Sequence, residues 1–429
     1  MIISIASIVL NVITIIISYK KRMTVYAIGT FFFLSLVSGQ SLQIAFDLSD
    51  AVNVQYLQHF INLSGFDNAL IYLLLTSSIL LAIPLICSTH RGVTFRNVTA
   101  PKIGILGSWI LYLITTLNIF LLIFFIVGWQ TFISSTRPGV ISGSTIFLVM
   151  LSIGIYPLLS QVICRERMQW KFIVLFLLVL IVTLLFSRIH VIVYGLIFFV
   201  AWFYSSGTFR KKVNRNEVFK IIIIGFAFMF IFLGIGTIRD TLNFVSGGWD
   251  EIFEYAIENI DSGILSVRYN YIASVEGMSG IAGAFTYLDT GGEQTIDFGL
   301  AQLVQGFFQW IPGFLKIYTT PYVEEFTGGN WYQSSIVPSG FESSFISFGW
   351  CGIFVFPLIF YFISNYLTMI YIKSKSINAK ITALILIGME VFFIRGSWSV
   401  WIAYSVSYLL IFIAYKFFLR FNFFSIPGK

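Results

Sequence analysis

The chain has 429 residues, of which 58% are hydrophobic and 10% charged, with a net charge of +7 and a mean hydropathy of +0.89. A soluble globular protein carries about 25% charged residues, and a disordered chain has low hydrophobicity with high net charge, so both classes are excluded. The apolar stretches are continuous and do not alternate, which excludes a membrane barrel and leaves an all-α polytopic membrane protein.

A helix crossing ~30 Å of hydrocarbon needs about 20 apolar residues. In chain order such runs lie at Ile2–Ser18, Val25–Phe46, Ala69–Ser88, Ile103–Val127 and Thr145–Cys164. A longer run covers Phe172–Tyr204, and Ile221–Ile238, Trp350–Ile370, Ile381–Ile394 and Trp401–Phe418 follow. As one helix the long run would measure ~50 Å, too much for one crossing. Its middle holds Ser187-Arg188-Ile189-His190, and both flanks are basic, Lys171 before it and Arg210-Lys211-Lys212 after it. The sequence therefore predicts two short helices with the polar tetrapeptide at the far surface, and about 11 transmembrane helices in total. The start, MIISIAS, lacks the basic region of a cleaved signal peptide.

Lysine and arginine are retained on the cytoplasmic side of a membrane. With the loop Lys20-Lys21-Arg22 inside and strict alternation after it, 20 of the 26 Lys and Arg residues fall inside. Six are left outside: Arg137, Arg188, Arg239, Arg268, Lys316 and Arg395. One missed crossing would invert every later loop, so the pattern predicts an external N-terminus and a cytoplasmic C-terminus. The positive charge thus follows topology and does not mark a nucleic-acid surface. Acidic residues show the opposite bias. Asp47, Asp50 and Asp67 fall in the first external loop, and thirteen more lie between Arg239 and Ser344. The organisation read from this is one integral membrane unit: helices 1 to 8 in residues 1–238, a large external loop in 239–344, and helices 9 to 11 in 345–429.

The outer loop is not a hydrophilic domain. Between Asp250 and Gly277, apolar Ile252, Ala256, Ile260, Ile264, Val267 and Tyr271 recur at helical spacing, with Glu251, Glu254, Glu258 and Asp261 opposite. This predicts an amphipathic helix on the membrane or over the bundle. Gly280, Gly283, Gly291 and Gly292 are expected to break the chain after it. The run Phe298–Leu315, with Phe307, Phe308 and Trp310, is too interrupted to span and suits an interfacial or re-entrant segment. Cys87, Cys164 and Cys351 have no metal-binding spacing and read as small apolar residues. No phosphate-binding GxxxxGK[ST] loop occurs.

The external cations are the chemical signal, because topology disfavours them. Arg188 sits at a tight helix–helix break inside an apolar run; its bland role is to snorkel to headgroup phosphates. Arg239 lies beside Asp240, so a local ion pair is its simple reading, and Arg268 sits on the amphipathic helix as a solvated charge or a ligand. Arg137 and Arg395 read as membrane anchors or substrate contacts. Taken together, Arg188, Arg239 and Arg268 are expected to converge on one anion near the outer surface. Guanidinium groups match phosphate oxygens and keep their charge, and a lipid diphosphate is such an anion. If a glycosidic bond at it breaks, fixed arginines stabilise the departing charge. A base for the attacking hydroxyl is sought in Glu342, His190, Asp47 or Asp50. Glu342 has a bland alternative as an exposed carboxylate at a helix N-terminus. Glu390, inside a span, is an intramembrane carboxylate that has Lys380 or a polar neighbour as its simple partner.

Three features of this pattern resemble the O-antigen or oligosaccharide repeat-unit polymerases of the Wzy type, which are related to the O-antigen ligases. They are the Ser187-Arg188 turn between two helices, the large late external loop, and the end of that loop. That end runs through Trp310-Ile311-Pro312, Lys316 and Gly328-Gly329 to PSGFESSFISFGWCG, where Phe348-Gly349-Trp350-Cys351-Gly352 enters a span. The arginine–x10–glycine pattern of some members is absent, since Phe199 and Ser279 stand eleven residues beyond Arg188 and Arg268. The resemblance implies a GT-C-like glycosyltransferase that needs no metal, cofactor or nucleotide sugar. It implies undecaprenyl-diphosphate-linked oligosaccharides as substrates at the periplasmic face of a bacterial inner membrane, in lipopolysaccharide, capsule or exopolysaccharide synthesis. Membrane lipid, a chain-length regulator and a flippase are the implied partners, and nucleic acid is not. Arg188, Arg239 and Arg268 would hold the diphosphate, and Glu342 or His190 would orient or deprotonate the acceptor. Lys316, Arg395, Arg137, Trp331, Tyr332, Tyr271, Asp47 and Asp50 would contact substrate. The rival readings are an O-antigen ligase handing the same donor to a lipid core, and a flippase or transporter, which usually shows matched internal repeats.

Overall fold

A computed structural model of the chain describes residues 1–39, 41–42, 63–87, 94–101, 103–122, 148–186, 188–206, 278–289, 291, 296, 299–308, 339–396 and 398–421. Among them there is no strand. The α-helices are α1 (Ile2–Lys20), α2 (Thr24–Phe33), α3 (Leu63–Ile86), α4 (Ile105–Leu121) and α5 (Tyr156–Cys164). Then come α6 (Trp170–Phe186), α7 (Arg188–Ser205), α8 (Met278–Asp289), α9 (Leu300–Phe308) and α10 (Gly340–Phe348). The last are α11 (Gly352–Tyr361), α12 (Leu367–Lys373), α13 (Ile377–Gly388), α14 (Glu390–Arg395) and α15 (Trp398–Phe421). Among the described residues five stretches are long and apolar enough to cross a membrane: Ile2–Lys20, Ser64–Ile86, Gly340–Lys373, Ile377–Ile394 and Trp398–Leu419. The protein is a helical membrane protein. Its chain divides into two compact units.

The first unit takes residues 1–94, 272–373 and 383–406. Its helix α1 is inverted relative to a soluble helix. Ser4, Ser7, Asn11, Thr14 and Ser18 are buried, while Ile2, Ile5, Val9, Val12, Ile13 and Ile16 are exposed. The buried residues are spaced three and four apart, so they form one stripe. In lipid an apolar face gains nothing by hiding, and small polar side chains serve as glue between helices. Asn11 supplies the central bonds of that seam. Its Nδ2 donates to Ser38 Oγ at 2.8 Å, in a π-helical turn (Leu34–Ser38) that continues α2, and to Ser77 Oγ at 3.1 Å in α3. The connection from α1 to α2 is tight: Met23 N–H donates to Ser18 O at 2.8 Å and Arg22 N–H to Tyr19 O at 2.9 Å. This is a Schellman ending with Arg22 at φ 63°, where glycine is usual.

The stretch Gly340–Lys373 is not one rod. A straight helix would hold Phe341 and Phe356 ~22 Å apart, yet their ring centroids are 5.8 Å apart. The chain folds back at Gly349, whose φ of 57° and ψ of −140° few other residues adopt. Gly352 makes the close return possible, because a Cβ there would strike the Ser344 carbonyl and the Tyr72 hydroxyl. Thus α10 is a short helix, ~13 Å long, folded back on α11, and the apolar run read as Trp350–Ile370 begins just after the fold. The break between them is well covered by protein. Phe33, Phe341, Phe356 and Phe393 pack ring to ring, with centroids 5.3–5.5 Å apart for Phe33–Phe341, Phe33–Phe356 and Phe356–Phe393.

Two of the glycines expected to break the chain do not. Gly280 and Gly283 lie within α8, which buries Met278, Ile281, Ala282, Ala284 and Phe285. In a membrane protein small residues mark close helix approach as often as a turn. Gly291, at φ 93°, does follow the helix end. In α9, Leu300, Leu303 and Phe307 are exposed, while Gly306 lies against Ile402 and the Ser399 carbonyl.

The second unit takes residues 95–271, 374–382 and 407–429. Its central feature is the pair α6–α7. As one helix, residues 176 and 198 would be ~33 Å apart, but the rings of Phe176 and Phe198 have centroids 4.6 Å apart. The two helices therefore pack side by side as a hairpin. Ser187 itself lies outside the described residues. Beside the hairpin, Tyr156 of α5 donates from its hydroxyl to Tyr408 O at 3.1 Å and packs on Phe412 and Tyr415. The end of α5 repeats the α1 ending: Glu166 N–H donates to Gln161 O at 3.0 Å, with Arg165 at φ 58°. Arg165 and Lys380 both approach the ring of Phe95, at 5.6 and 3.8 Å from its centroid.

Candidate functional site

The best-defined chemical group of the first unit is Glu342. Its residue number places it in the first turn of α10, and the fold at Gly349 carries that turn back alongside Phe356. The carboxylate is therefore not the exposed helix-terminal charge that its bland reading supposes. Glu342 is 1% exposed. The motif Ser339-x-x-Glu342 has the pattern of a capping box. Ser339 Oγ accepts the Glu342 N–H at 3.1 Å, which fixes the first turn of α10. One carboxyl oxygen, Oε2, remains buried without a hydrogen bond. A buried acceptor without a donor costs about 1–3 kcal/mol, more for a charge, and such groups persist where function needs them.

The walls around Glu342 are aromatic and tightly fitted. Gly280 of α8 faces the carboxyl group directly. Phe341 and Phe345 flank it in sequence, and Tyr72 of α3 packs on both, with centroids at 5.1 and 5.3 Å. Phe285 of α8 lies 4.2 Å from Phe345 between centroids. At the start of α10, Trp398 Nε1 donates to Gly340 O at 3.2 Å. A Cβ on Gly340 would collide with the Phe393 carbonyl. These contacts fix the position and direction of the folded-back helix.

A second buried carboxylate in this unit is Glu390, 1% exposed at the start of α14. Neither of its oxygens has a hydrogen bond within distance and angle limits. Gly29 of α2 gives it room, since a Cβ there would fall 2.6 Å from Glu390 Oε1 and 2.5 Å from Phe360 Cζ. Ser364, in the π turn Phe362–Tyr366 after α11, is its polar neighbour. Its hydroxyl donates to Phe360 O at 2.7 Å. Lys380, the partner considered from sequence, places its ammonium over Phe95.

The sequence-derived residues are placed as follows. Arg188 is the first residue of α7, at the hairpin turn, and the position of its side chain is outside the described part. His190 follows two residues later. It is 1% exposed and its ring stacks on Tyr408, with centroids 6.1 Å apart and planes at 19°. Arg395 ends α14, again with an undescribed side chain. Arg239, Arg268, Arg137, Lys316, Trp331, Tyr332, Tyr271, Asp47 and Asp50 lie outside the described residues, as do Ile221–Ile238 and the amphipathic segment 250–277. The convergence of the three arginines is thus not visible. Sequence reasoning passed over Gly280 and Ser339, though the capping-box pattern was there to find. It also passed over Asn11, whose signal was the small-polar stripe.

Among the described residues no three His, Cys, Asp or Glu side chains gather into a metal-binding group. Fold and site together define a helical membrane protein with a short, folded-back helix that carries a buried carboxylate. No family model, curated protein or solved structure matches the chain.

Proposed function

We propose that the protein polymerises lipid-linked oligosaccharide repeat units, moving a growing glycan from undecaprenyl diphosphate to the non-reducing end of a new lipid-linked unit. The observation that carries this reading is Glu342: a carboxylate with an uncommitted oxygen, held inside the bundle on a folded-back helix where the large loop returns to the membrane. A transferase acting on membrane-bound sugars needs a base at that depth. The hairpin turn at Ser187-Arg188 and the Phe348-Gly349-Trp350-Cys351-Gly352 fold support it, as the elements on which the resemblance to Wzy-type polymerases rests.

In this reading the eleven spans form a GT-C-like bundle in a bacterial inner membrane, with the site open to the periplasm. The acceptor hydroxyl attacks the anomeric carbon of the donor, and the bond from that carbon to the diphosphate oxygen breaks. The hydroxyl proton passes to Glu342. The undecaprenyl diphosphate leaves with the bonding pair, and Arg188, Arg239 and Arg268 stabilise its charge. Leaving-group energy drives the reaction, so no nucleotide is consumed. Asp47, Asp50, Tyr271, Trp331, Tyr332, Arg137, Lys316 and Arg395 serve sugar or phosphate binding.

The test is elongation by purified protein in liposomes with one lipid-linked repeat unit. Wild type is expected to give a ladder of lengths, and Arg188→Ala and Glu342→Gln to lose it. Undiminished ladders from either variant would remove that residue from the mechanism.

A further inference from the structure

A base on a flexible side chain works only if it is held in one rotamer. Glu342 is held from two sides. Ser339 caps α10: its Oγ accepts the Glu342 N–H at 3.1 Å and so fixes the backbone from which the carboxyl group extends. Ser339 is itself fully buried, so water does not compete for this bond. Among the described residues the carboxyl oxygen Oε2 has no hydrogen-bond partner. On the opposite side stands Gly280. A Cβ there would fall 2.6 Å from Glu342 Cδ and closer still to Oε2, where ordinary contact starts at 3.4 Å. Gly280 lies in the first turn of α8 without a positive φ to explain it. Its lack of a side chain is what gives the carboxyl its place.

We infer that Ser339 and Gly280 are positioning residues that fix the Glu342 carboxyl in a single orientation, with Oε2 turned to the seam between α8 and α10, where the acceptor hydroxyl delivers its proton. The inference rests on the polymerase reading. Neither residue handles substrate; both act through Glu342. A cap that served stability alone would leave turnover untouched once the protein is folded. A positioned base is sensitive to displacement, since a shift of about 1 Å in a reacting group costs roughly 10²-fold in rate.

The experiment measures kcat and KM for elongation of a synthetic lipid-linked repeat unit in proteoliposomes, with wild type, Ser339→Ala, Ser339→Thr, Gly280→Ala and Glu342→Gln. Only variants that elute as wild type in gel filtration are compared. The expected result is loss of activity in Glu342→Gln. Ser339→Ala and Gly280→Ala are expected to lower kcat by about 10²-fold with KM unchanged, and Ser339→Thr, which keeps the acceptor oxygen, to recover most of the loss. If Glu342→Gln is dead while Ser339→Ala and Gly280→Ala turn over as wild type, the inference is overturned and the polymerase reading stands. A rise in KM alone also overturns it. If wild type elongates nothing, or Glu342→Gln elongates normally, the underlying reading fails and takes the inference with it. Should Gly280→Ala not fold, Ser339→Ala against Ser339→Thr decides.

Discussion

Asn11 offers a quantitative test of how the first unit is held together. Its Nδ2 donates to Ser38 Oγ at 2.8 Å and to Ser77 Oγ at 3.1 Å, so one side chain ties α1 to the turn after α2 and to α3. Hydrogen bonds between membrane helices average about 0.6 kcal/mol and reach ~1.7 kcal/mol. A bare substitution mixes this gain with another effect, since Asn11 Oδ1 has no hydrogen bond and its removal relieves a cost. A double-mutant cycle cancels the second effect. Asn11→Leu, Ser77→Ala and the pair should show a coupling of about 0.6 kcal/mol, close to a threefold change in the folding equilibrium. Ser78 is the control: one position along α3, its hydroxyl donates to Leu74 O at 2.8 Å within its own helix. Asn11→Leu with Ser78→Ala should couple by nothing measurable. Reversible unfolding in bicelles reads both numbers. A Ser77 coupling no larger than that of Ser78 would refute the polar seam as the bond between α1 and α3.

Other perturbations have directions set by the structure. Arg22→Gly should raise stability in detergent, because a non-glycine residue in the left-handed region costs roughly 1–2 kcal/mol. In the topology that the charge pattern predicts, the same change should weaken retention of its loop on the cytoplasmic side, read by cysteine accessibility from either face. Gly352→Ala should destabilise more than Gly29→Ala. The added methyl at 352 meets the backbone carbonyl of Ser344, whereas at 29 it meets the ends of Phe360 and Glu390, which can shift at ~1–3 kcal/mol. Thermal unfolding of the two variants would order them, and equal losses would argue against the fold-back at Gly349. Phe95→Leu should cost about 1–2 kcal/mol and expose residues 94–101 to protease, because the ring is shared by Lys380 and Arg165. A cleavage pattern identical to wild type would count against that double contact.

The class of the molecule was plain in the sequence because apolar length sets it without tertiary information. The hairpin of α6 and α7 was legible for the same reason: the run Phe172–Tyr204 was longer than a bilayer and its centre was polar. What failed depended on contacts between distant segments. Gly280 and Gly283 read as chain breaks since glycine disfavours an isolated helix, but both lie within α8, where Gly280 is a point of close approach to Glu342. Glu342 was found by its place before a span, yet its burial follows from the turn at Gly349, and nothing local announces that α10 folds back on α11. The burial of His190 against Tyr408 likewise comes from a distant segment, which its polar neighbours in the sequence do not announce. The stripe Ser4, Ser7, Asn11, Thr14, Ser18 was open to reading from spacing alone, once the inside of a membrane protein is taken as its more polar side.

The most direct test of the central claim follows one radiolabelled lipid-linked repeat unit in proteoliposomes that contain this protein alone. Glycan length and movement of the lipid across the bilayer are measured in the same sample. The account predicts products of increasing length that remain attached to the lipid diphosphate, formed on one face of the membrane and lost in Glu342→Gln. Label that changes leaflet while every glycan keeps its original length would contradict it and would make the protein a lipid transporter.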